Sequence, residues 1–146
     1  MKTVGYDPFL DAERAATISQ NLRFTDDLLD LCASCDYITI HVPATPKTKG
    51  MIGADEIAAM KEGAAFLNFS RDTLVDNDAM RAGLTSGKVR RYVTDFATPE
   101  VMTMEGALVL PHLGASTAEA EENCAEMAVR EVMDYLETGK KVHCVN

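Results

Sequence analysis

The sequence predicts an α/β protein with a mostly parallel β-sheet and helices on both faces of that sheet. Short apolar runs typical of buried strands alternate along the chain with segments whose apolar residues recur at helical spacing. Polar residues follow directly after several of these runs, as they do where parallel strands end at a ligand crevice. The length of 146 residues suits one domain with a sizeable core.

Strands are expected where an apolar run is bounded by turn residues. The first run ends at the Asp7-Pro8 turn, and the third ends at His41, before a loop rich in proline and threonine. The second run is short enough to be an edge strand. The expected strands cover residues 2–6, 22–24, 36–41, 64–69, 89–94 and 107–110.

Helices are expected where a capping residue precedes an apolar stripe. Thr25 is the expected N-cap of one helix, with two aspartates in its first turn, and Asp76 and Thr117 are expected to cap two others. Gly139 is a typical helix end. Besides the helix at Thr25, the expected helices cover residues 11–16, 54–60, 76–84 and 117 to about 136.

The two strands between residues 91 and 117 place polar side chains where an active site would need them. Asp95 follows the first of these strands, Glu100 comes shortly after it, and His112 follows the second. Because the carboxyl ends of parallel strands meet at one edge, we expect these three side chains to face one crevice. A carboxylate near an imidazole raises its pKa and prepares it for proton transfer.

The net charge of −9 argues against nucleic acid or an anionic membrane surface as a partner. No segment approaches the roughly 18 apolar residues of a membrane span, and the N-terminus is too polar for a signal peptide. We expect a cytoplasmic protein with reduced thiols. Cys32 and Cys35 form a CxxC pair, but no second pair follows at the spacing of a zinc site, so we predict structural thiols and no metal site.

Five stretches of the sequence, taken together, resemble the D-isomer-specific 2-hydroxyacid dehydrogenases. They occur in the order and with the spacings of that family and cover nearly the whole chain. The stretches are Val4–Asp7, Cys35–Thr48, Asn68–Asp76, Asp95–Glu100 and Pro111–Thr117.

The resemblance implies a Rossmann-like fold, NAD as cofactor and a role for each matched residue. It implies that His112 exchanges the hydroxyl proton, that Glu100 supports the imidazolium, and that Arg71 binds a 2-hydroxy or 2-keto acid. It also implies that Asp7 holds the adenosine ribose of NAD and would repel a 2′-phosphate. Further residues that match cofactor-lining positions of the family are His41, Pro43, Thr48, Ser70, Asp95 and Gly114.

Structural roles remain open for several of these residues. Arg71 is also compatible with a surface ion pair to Asp72 or Asp76, and Asp72 stands where the family usually has glycine. The sequence also leaves open a loop histidine at His112, a solvated acid at Glu100 and a strand-end histidine at His41, hydrogen-bonded to backbone.

The sequence contains no Gly-x-Gly-x-x-Gly motif. The resemblance implies that this motif and a first strand would precede the strand at 2–6. We therefore expect residues 1–146 to be a partial NAD-binding domain without the first strand, the Gly-rich loop or the substrate domain. The absent strand would lie between strands 2–6 and 36–41. We expect these two edges to close on each other, to pair in a homo-oligomer, or to receive a complementing chain.

The function expected from the resemblance is NAD-dependent oxidation of a D-2-hydroxy acid, with this chain inactive alone. One alternative is a non-catalytic oligomerisation module with the same fold. A second is a dehydrogenase for a different small acid, such as glycerate, lactate or formate.

Overall fold

The computed structural model describes residues 2–10, 13–14, 17 and 21–143. They form two compact units, Met1–Pro111 and His112–Asn146. Of the helix expected over residues 11–16, only 13 and 14 lie among the described residues, and both are helical.

The described residues of the first unit form two parallel sheets. The strands are β1 (Thr3–Tyr6), β2 (Leu22–Thr25), β3 (Tyr37–Ile40), β4 (Ala64–Asn68), β5 (Val89–Thr94) and β6 (Ala107–Val109). β1 pairs with β2, and the second sheet has the order β3-β4-β5-β6. Every pairing is parallel, so the strands of each sheet end at one edge, as the sequence predicts.

The expectation that the edges of β1 and β3 close on each other is wrong. Within the part of the chain that the structure describes, β1 pairs only with β2, and β3 pairs only with β4. The sheet is therefore interrupted at the position where the resemblance implies an absent strand. The physical reason is that parallel pairing needs the two edges in register about 4.8 Å apart, and the chain does not bring them together.

Five α-helices have both of their ends among the described residues, four in the first unit and a longer one in the second. They are α1 (Leu28–Ser34), α2 (Ala54–Ala59), α3 (Asn77–Ser86), α4 (Pro99–Met102) and α5 (Ala118–Thr138). The N-cap of α1 is Asp27 rather than Thr25, because the Asp27 carboxylate accepts from the Leu29 N–H at 2.9 Å. Thr25 instead ends β2. In the ranges that the structure covers, no helix is both long and apolar enough to cross a membrane.

The core of the first unit centres on β4, in which every residue but one is buried. The Phe66 ring is fully buried and lies 6.2 Å from the Tyr92 ring, centroid to centroid. Gly83 of α3 packs so closely on α2 that a Cβ there would lie 2.8 Å from Ile57 Cγ2. The core therefore fixes α2 and α3 against the sheet whose strand ends carry the candidate site.

The CxxC cysteines are free thiols, and Cys32 is fully buried in the core. Burial raises the pKa of Cys32 to about 11, with a further contribution from the nearby carboxylate of Glu56. Only the thiolate is nucleophilic, so Cys32 is expected to resist alkylation near pH 8, whereas the exposed Cys124 is expected to react. A brief iodoacetamide treatment followed by peptide mass mapping measures this difference. Alkylation of native Cys32 as fast as Cys124 would contradict the burial of Cys32 in the core.

Candidate functional site

The loop that follows β4 is held by one buried amide. Asn68 is fully buried at the end of the strand. Its Nδ2 donates to the Arg71 carbonyl at 2.8 Å, and its Oδ1 accepts from the Ser70 N–H at 3.1 Å. A buried amide of this kind is costly to leave unsatisfied, so these two bonds define the path of the loop. They place Ser70 and Arg71 at the carboxyl edge of the sheet.

Ser70 connects this loop to the one that follows β3. Its hydroxyl donates to the Val42 carbonyl at 2.7 Å. β3 and β4 are neighbours in the sheet, so this bond joins two adjacent loops at the edge where ligands bind in α/β proteins.

The Arg71 side chain is exposed, and its Nη1 donates to the Ser70 carbonyl at 2.6 Å. Neither suggested ion pair is present. Asp72 accepts from the Thr73 N–H, and Asp76 caps α3. None of the ion pairs formed by the described residues involves Arg71. The guanidinium can therefore accept an anionic ligand without first breaking an ion pair.

The loop that follows β3 is closed by the hydroxyl of Thr48. This hydroxyl donates to the Pro43 carbonyl at 2.7 Å and accepts from the Thr45 N–H at 2.8 Å. The exposed His41 ring begins the loop, and its Nε2 lies 2.9 Å from the Thr39 hydroxyl. His41 thus contacts a side chain rather than the backbone partner considered in the sequence analysis.

Asp7 stands at the end of β1 as predicted, and it is exposed. Its Oδ1 accepts from the Phe9 N–H at 2.8 Å, which closes a turn. The turn orients the carboxylate at the strand end. A carboxylate there can accept hydrogen bonds from a vicinal diol such as a ribose.

Asp95 and the loop after β5 are shaped by Thr94, which is fully buried. The Thr94 hydroxyl accepts from the Phe96 N–H at 3.2 Å. Asp95 itself is partly buried, and its Oδ1 is shielded from solvent. The loop therefore leaves β5 with one oxygen of Asp95 turned into the protein.

Glu100 lies in the first turn of α4, with its side chain exposed. Thr98 caps this helix by accepting from the Val101 N–H at 3.3 Å. The Arg81 guanidinium on α3 donates to the Glu100 carbonyl at 3.0 Å and to the Thr103 hydroxyl at 3.2 Å. The short helix that carries Glu100 is thus attached at both ends.

A cleft of about 330 Å³ lies beside this helix and brings the β4 and β5 loops together. Glu100 and Asp72 both line it, as does the nearly buried Tyr92. Burial raises the pKa of the Tyr92 hydroxyl. Tyr92 therefore stays neutral near pH 7.

The second unit begins with His112 and Gly114, which are both exposed. No atom lies within 4 Å of the position that a Cβ on Gly114 would occupy. Thr117 caps α5 by accepting from the Ala120 N–H at 3.1 Å, as predicted. Glu100 and His112 belong to different units, so their pairing stays a prediction.

The residues of the first unit fit part of a dinucleotide. The exposed carboxylate of Asp7 suits ribose hydroxyls, and the loops after β3 and β4 supply backbone and hydroxyl groups at one sheet edge. The sequence offers no Gly-x-Gly-x-x-Gly turn for the pyrophosphate.

The sequence profile described as "D-isomer specific 2-hydroxyacid dehydrogenase, NAD binding domain" matches residues 1–114. The chain belongs to this dehydrogenase family. NAD is accordingly its cofactor, and the Rossmann-like parallel sheet with helices on both sides that the sequence predicts is confirmed.

Named relatives of this chain agree with the profile. The D-3-phosphoglycerate dehydrogenase of Methanocaldococcus jannaschii is 35% identical over 142 residues, and that of Rattus norvegicus is 33% identical over 152 residues. These matches cover 93% and 100% of the chain but only 27% and 28% of the two relatives. The chain thus spans about a quarter of the length of the curated relatives it matches.

Solved structures share the fold of this chain. The D-mandelate dehydrogenase of Rhodotorula graminis matches with a TM-score of 0.80 and 25% identity, over 92% of this chain and 41% of that one. An NAD-complexed D-isomer-specific 2-hydroxyacid dehydrogenase from Lactobacillus delbrueckii ssp. bulgaricus matches with a TM-score of 0.83 and 22% identity, over 99% of this chain and 48% of that one. The second likeness shows the fold alone.

Three side chains that fix the strand-end loops of this chain have no role that the sequence alone indicates. They are Asn68, Thr94 and Arg81. The need of Asn68 for partners could have been predicted from the sequence, because a buried amide in an otherwise apolar strand needs hydrogen bonds. The roles of Thr94 and Arg81 could not have been predicted, because no local sequence pattern specifies the backbone groups that they bind.

Replacement of Asn68 by alanine is expected to lower the free energy of unfolding by about 2 kcal/mol, because a buried pair of bonds is lost. Urea denaturation followed by circular dichroism measures the change. The matched control is Asn77→Ala at the start of α3, which is expected to cost about 0.5 kcal/mol or less. Equal effects of the two substitutions would contradict the role given to Asn68.

Proposed function

We propose that this chain forms part of an NAD-dependent D-3-phosphoglycerate dehydrogenase. The proposal rests chiefly on Arg71, whose guanidinium stands at the end of β4, in a loop fixed by Asn68 and without a carboxylate partner among the described residues. The names of the relatives from M. jannaschii and R. norvegicus support this choice of substrate.

Arg71 binds the substrate in this proposal. A guanidinium can donate two parallel hydrogen bonds to one carboxylate, which sets the orientation as well as the affinity of an acid. The bond between the Arg71 side chain and the Ser70 carbonyl restricts the guanidinium before substrate arrives. A restricted side chain loses less entropy on binding.

His112 moves the proton. An imidazole nitrogen accepts the proton of the substrate hydroxyl, and the Glu100 carboxylate stabilises the resulting imidazolium. When bound, NAD supplies the hydride acceptor. Asp95 lines the nicotinamide side of the cofactor, and Gly114 lets the backbone approach it closely. His41, Pro43, Thr48 and Ser70 line the cofactor at the ends of β3 and β4.

Asp7 selects the cofactor. Its carboxylate accepts hydrogen bonds from the adenosine ribose hydroxyls and repels the 2′-phosphate of NADP. The turn closed with the Phe9 N–H fixes this carboxylate at the strand end. The chain alone is inactive in this proposal, because the pyrophosphate loop and the substrate domain lie outside its 146 residues.

The test is a chimera in which this chain replaces the aligned region of the M. jannaschii enzyme. The chimera is expected to form NADH from D-3-phosphoglycerate, and the isolated chain is not. Arg71→Ala is expected to lower kcat/KM about 100-fold, since two charge-assisted hydrogen bonds are lost. Arg90→Ala, at an exposed position in β5, is the matched control and is expected to leave kcat/KM unchanged.

The chimera also separates this proposal from its rivals. A chimera that binds NAD but turns over glycerate, lactate or formate in preference would reassign the substrate. A folded chimera without calorimetric NAD binding at millimolar concentration would favour a non-catalytic module. Robust NADH formation by the isolated chain would refute the proposed need for the absent parts.

A further inference from the structure

Asp72 is an acidic side chain directly beside the guanidinium that binds substrate in the proposed function. It follows Arg71 in the chain and is exposed. Its Oδ1 accepts from the Thr73 N–H at 2.8 Å, and no ion pair among the described residues includes it. Asp72 therefore places a carboxylate without a cationic partner next to the group that binds acids.

The backbone around Asp72 is fixed on both sides. Asp72–Leu74 forms one turn of 3₁₀ helix. The Thr73 carbonyl accepts from the Gly50 N–H at 2.9 Å, which attaches the turn to the segment that follows the β3 loop. On the other side, the Arg71 carbonyl accepts from Asn68 Nδ2 at 2.8 Å. The carboxylate is therefore held near the guanidinium by a loop that has little freedom to move away.

The cleft of about 330 Å³ beside this turn has an excess of acidic groups. Its charged lining residues are Lys49, Asp72, Asp76 and Glu100, so three carboxylates face one ammonium. The charge of Asp72 also acts inside the cleft. Burial is the main cause of the raised pKa of the Tyr92 hydroxyl, and Asp72 adds to it. A second anionic group of a ligand is therefore repelled on this side of Arg71.

A guanidinium alone does not distinguish the two ends of a phosphorylated hydroxy acid. Arginine binds carboxylates and phosphates with the same pair of parallel hydrogen bonds. A phosphate monoester carries a charge of about −1.5 to −2 at pH 7, so Arg71 by itself would attract it more strongly than a carboxylate. Phosphate bound at Arg71 is unproductive, because the hydroxyl carbon then lies away from the group that takes its proton.

We propose that Asp72 makes Arg71 select the carboxylate rather than the phosphate of a phosphorylated 2-hydroxy acid. This inference rests on the proposed function, since it takes Arg71 as the group that binds the acid. Coulomb repulsion is proportional to the charge of the ligand, so a neighbouring carboxylate penalises a dianion about twice as much as a monoanion. Asp72 thereby offsets the advantage that a phosphate has at the guanidinium and favours the productive orientation.

The two ends of D-3-phosphoglycerate can be tested as separate probes. D-glycerate carries the carboxylate without the phosphate, and glycerol phosphate carries the phosphate without the carboxylate. Each probe is titrated into the full 146-residue chain, and the ¹H–¹⁵N NMR signal of the Arg71 Nε–H reports binding. Glycerol phosphate is expected to bind the unmodified chain no more tightly than D-glycerate, despite its larger charge.

Asp72→Asn removes the charge and keeps an oxygen that can accept from the Thr73 N–H. A unit charge about 6 Å from a monoanion in water changes its affinity about threefold. Asp72→Asn is therefore expected to tighten D-glycerate about threefold and glycerol phosphate about tenfold. Asp72→Gly, with the residue that is usual in the family, is expected to shift the ratio of the two affinities equally. Both shifts are expected to shrink at about 1 M salt, where charges are screened within about 3 Å.

Asp36→Asn is the matched control, because it makes the same change of charge just before β3, at the opposite edge of the sheet from Arg71. Asp36 forms an exposed ion pair with Lys61, whose loss costs little stability. The control is expected to leave both affinities unchanged. A shift of the ratio by Asp36→Asn equal to that by Asp72→Asn would assign the effect to net charge and would overturn the proposal.

Three further outcomes would overturn the selectivity of Asp72 while leaving the proposed role of Arg71 intact. They are tighter binding of glycerol phosphate than of D-glycerate by the unmodified chain, equal tightening of both probes by Asp72→Asn, and tightening of neither. If neither probe shifts the Arg71 signal, the selectivity and the proposed role of Arg71 both fail. NAD and turnover take no part in these titrations, so their outcome does not depend on the activity of the chimera.

Discussion

Replacement of Phe66 by alanine is expected to lower the free energy of unfolding by about 3–5 kcal/mol. Phe66 is fully buried in the central strand β4, and its ring packs 6.2 Å from that of Tyr92. Truncation loses the free energy gained by burying the ring. It also leaves a cavity that the surrounding residues of a central strand cannot fill. Domains of this size are stable by only about 5–15 kcal/mol. Urea unfolding followed by circular dichroism is expected to show a midpoint at a much lower urea concentration.

Phe69→Ala is the matched control, because it removes the same side chain one residue beyond the end of β4. Phe69 is 38% exposed, so its truncation is expected to cost clearly less. If both variants unfold at the same urea concentration, Phe66 does not occupy the centre of the core. A change in the slope of unfolding, rather than its midpoint, would instead indicate an altered denatured state.

Replacement of His112 by glutamine in the chimera is expected to lower kcat about 10²- to 10⁴-fold, the range typical of lost general acid–base catalysis. Glutamine retains hydrogen-bonding capacity but cannot take up a proton near neutral pH. NAD affinity is expected to change little. The acidic limb of the pH profile of kcat/KM, which reports the protonation of the free base, is expected to disappear.

His143→Gln is the matched control for His112. His143 is exposed and lies 2.7 Å from Glu131 after the end of α5. Its replacement is expected to leave both kcat and the pH profile unchanged. An intact acidic limb in the His112 variant would assign the proton transfer to another group.

The strands were predictable from the sequence because buried strands consist mostly of apolar residues. The run at 64–69 is apolar because β4 is covered on both faces, and the structure ends this strand at Asn68. The cap of α1 was not predictable in the same way. Thr25 and Asp27 both have suitable side chains, and which one reaches the Leu29 N–H depends on where β2 ends.

The candidate site was predictable only in part. The positions of Asp7 and Arg71 at strand ends follow from strand–helix alternation, and the structure confirms them. The hydrogen bonds that hold the loops were not predictable, because Asn68 and Arg81 bind backbone groups whose positions no local pattern specifies. The roles of Glu100 and His112 came from resemblance and remain predictions.

The bond between the Ser70 hydroxyl and the Val42 carbonyl has a thermodynamic consequence. It joins the loop that carries Arg71 to the loop that begins at His41, so ordering either loop lowers the entropy that remains to be lost in the other. A cofactor that orders the β3 loop would therefore tighten the binding of an acid at Arg71. By reciprocity, the acid would tighten the cofactor by the same factor. The Ser70 hydroxyl would thus couple the binding of the cofactor to the binding of the acid. Such coupling favours an ordered sequence of binding, in which the first ligand orders the loop that the second ligand needs.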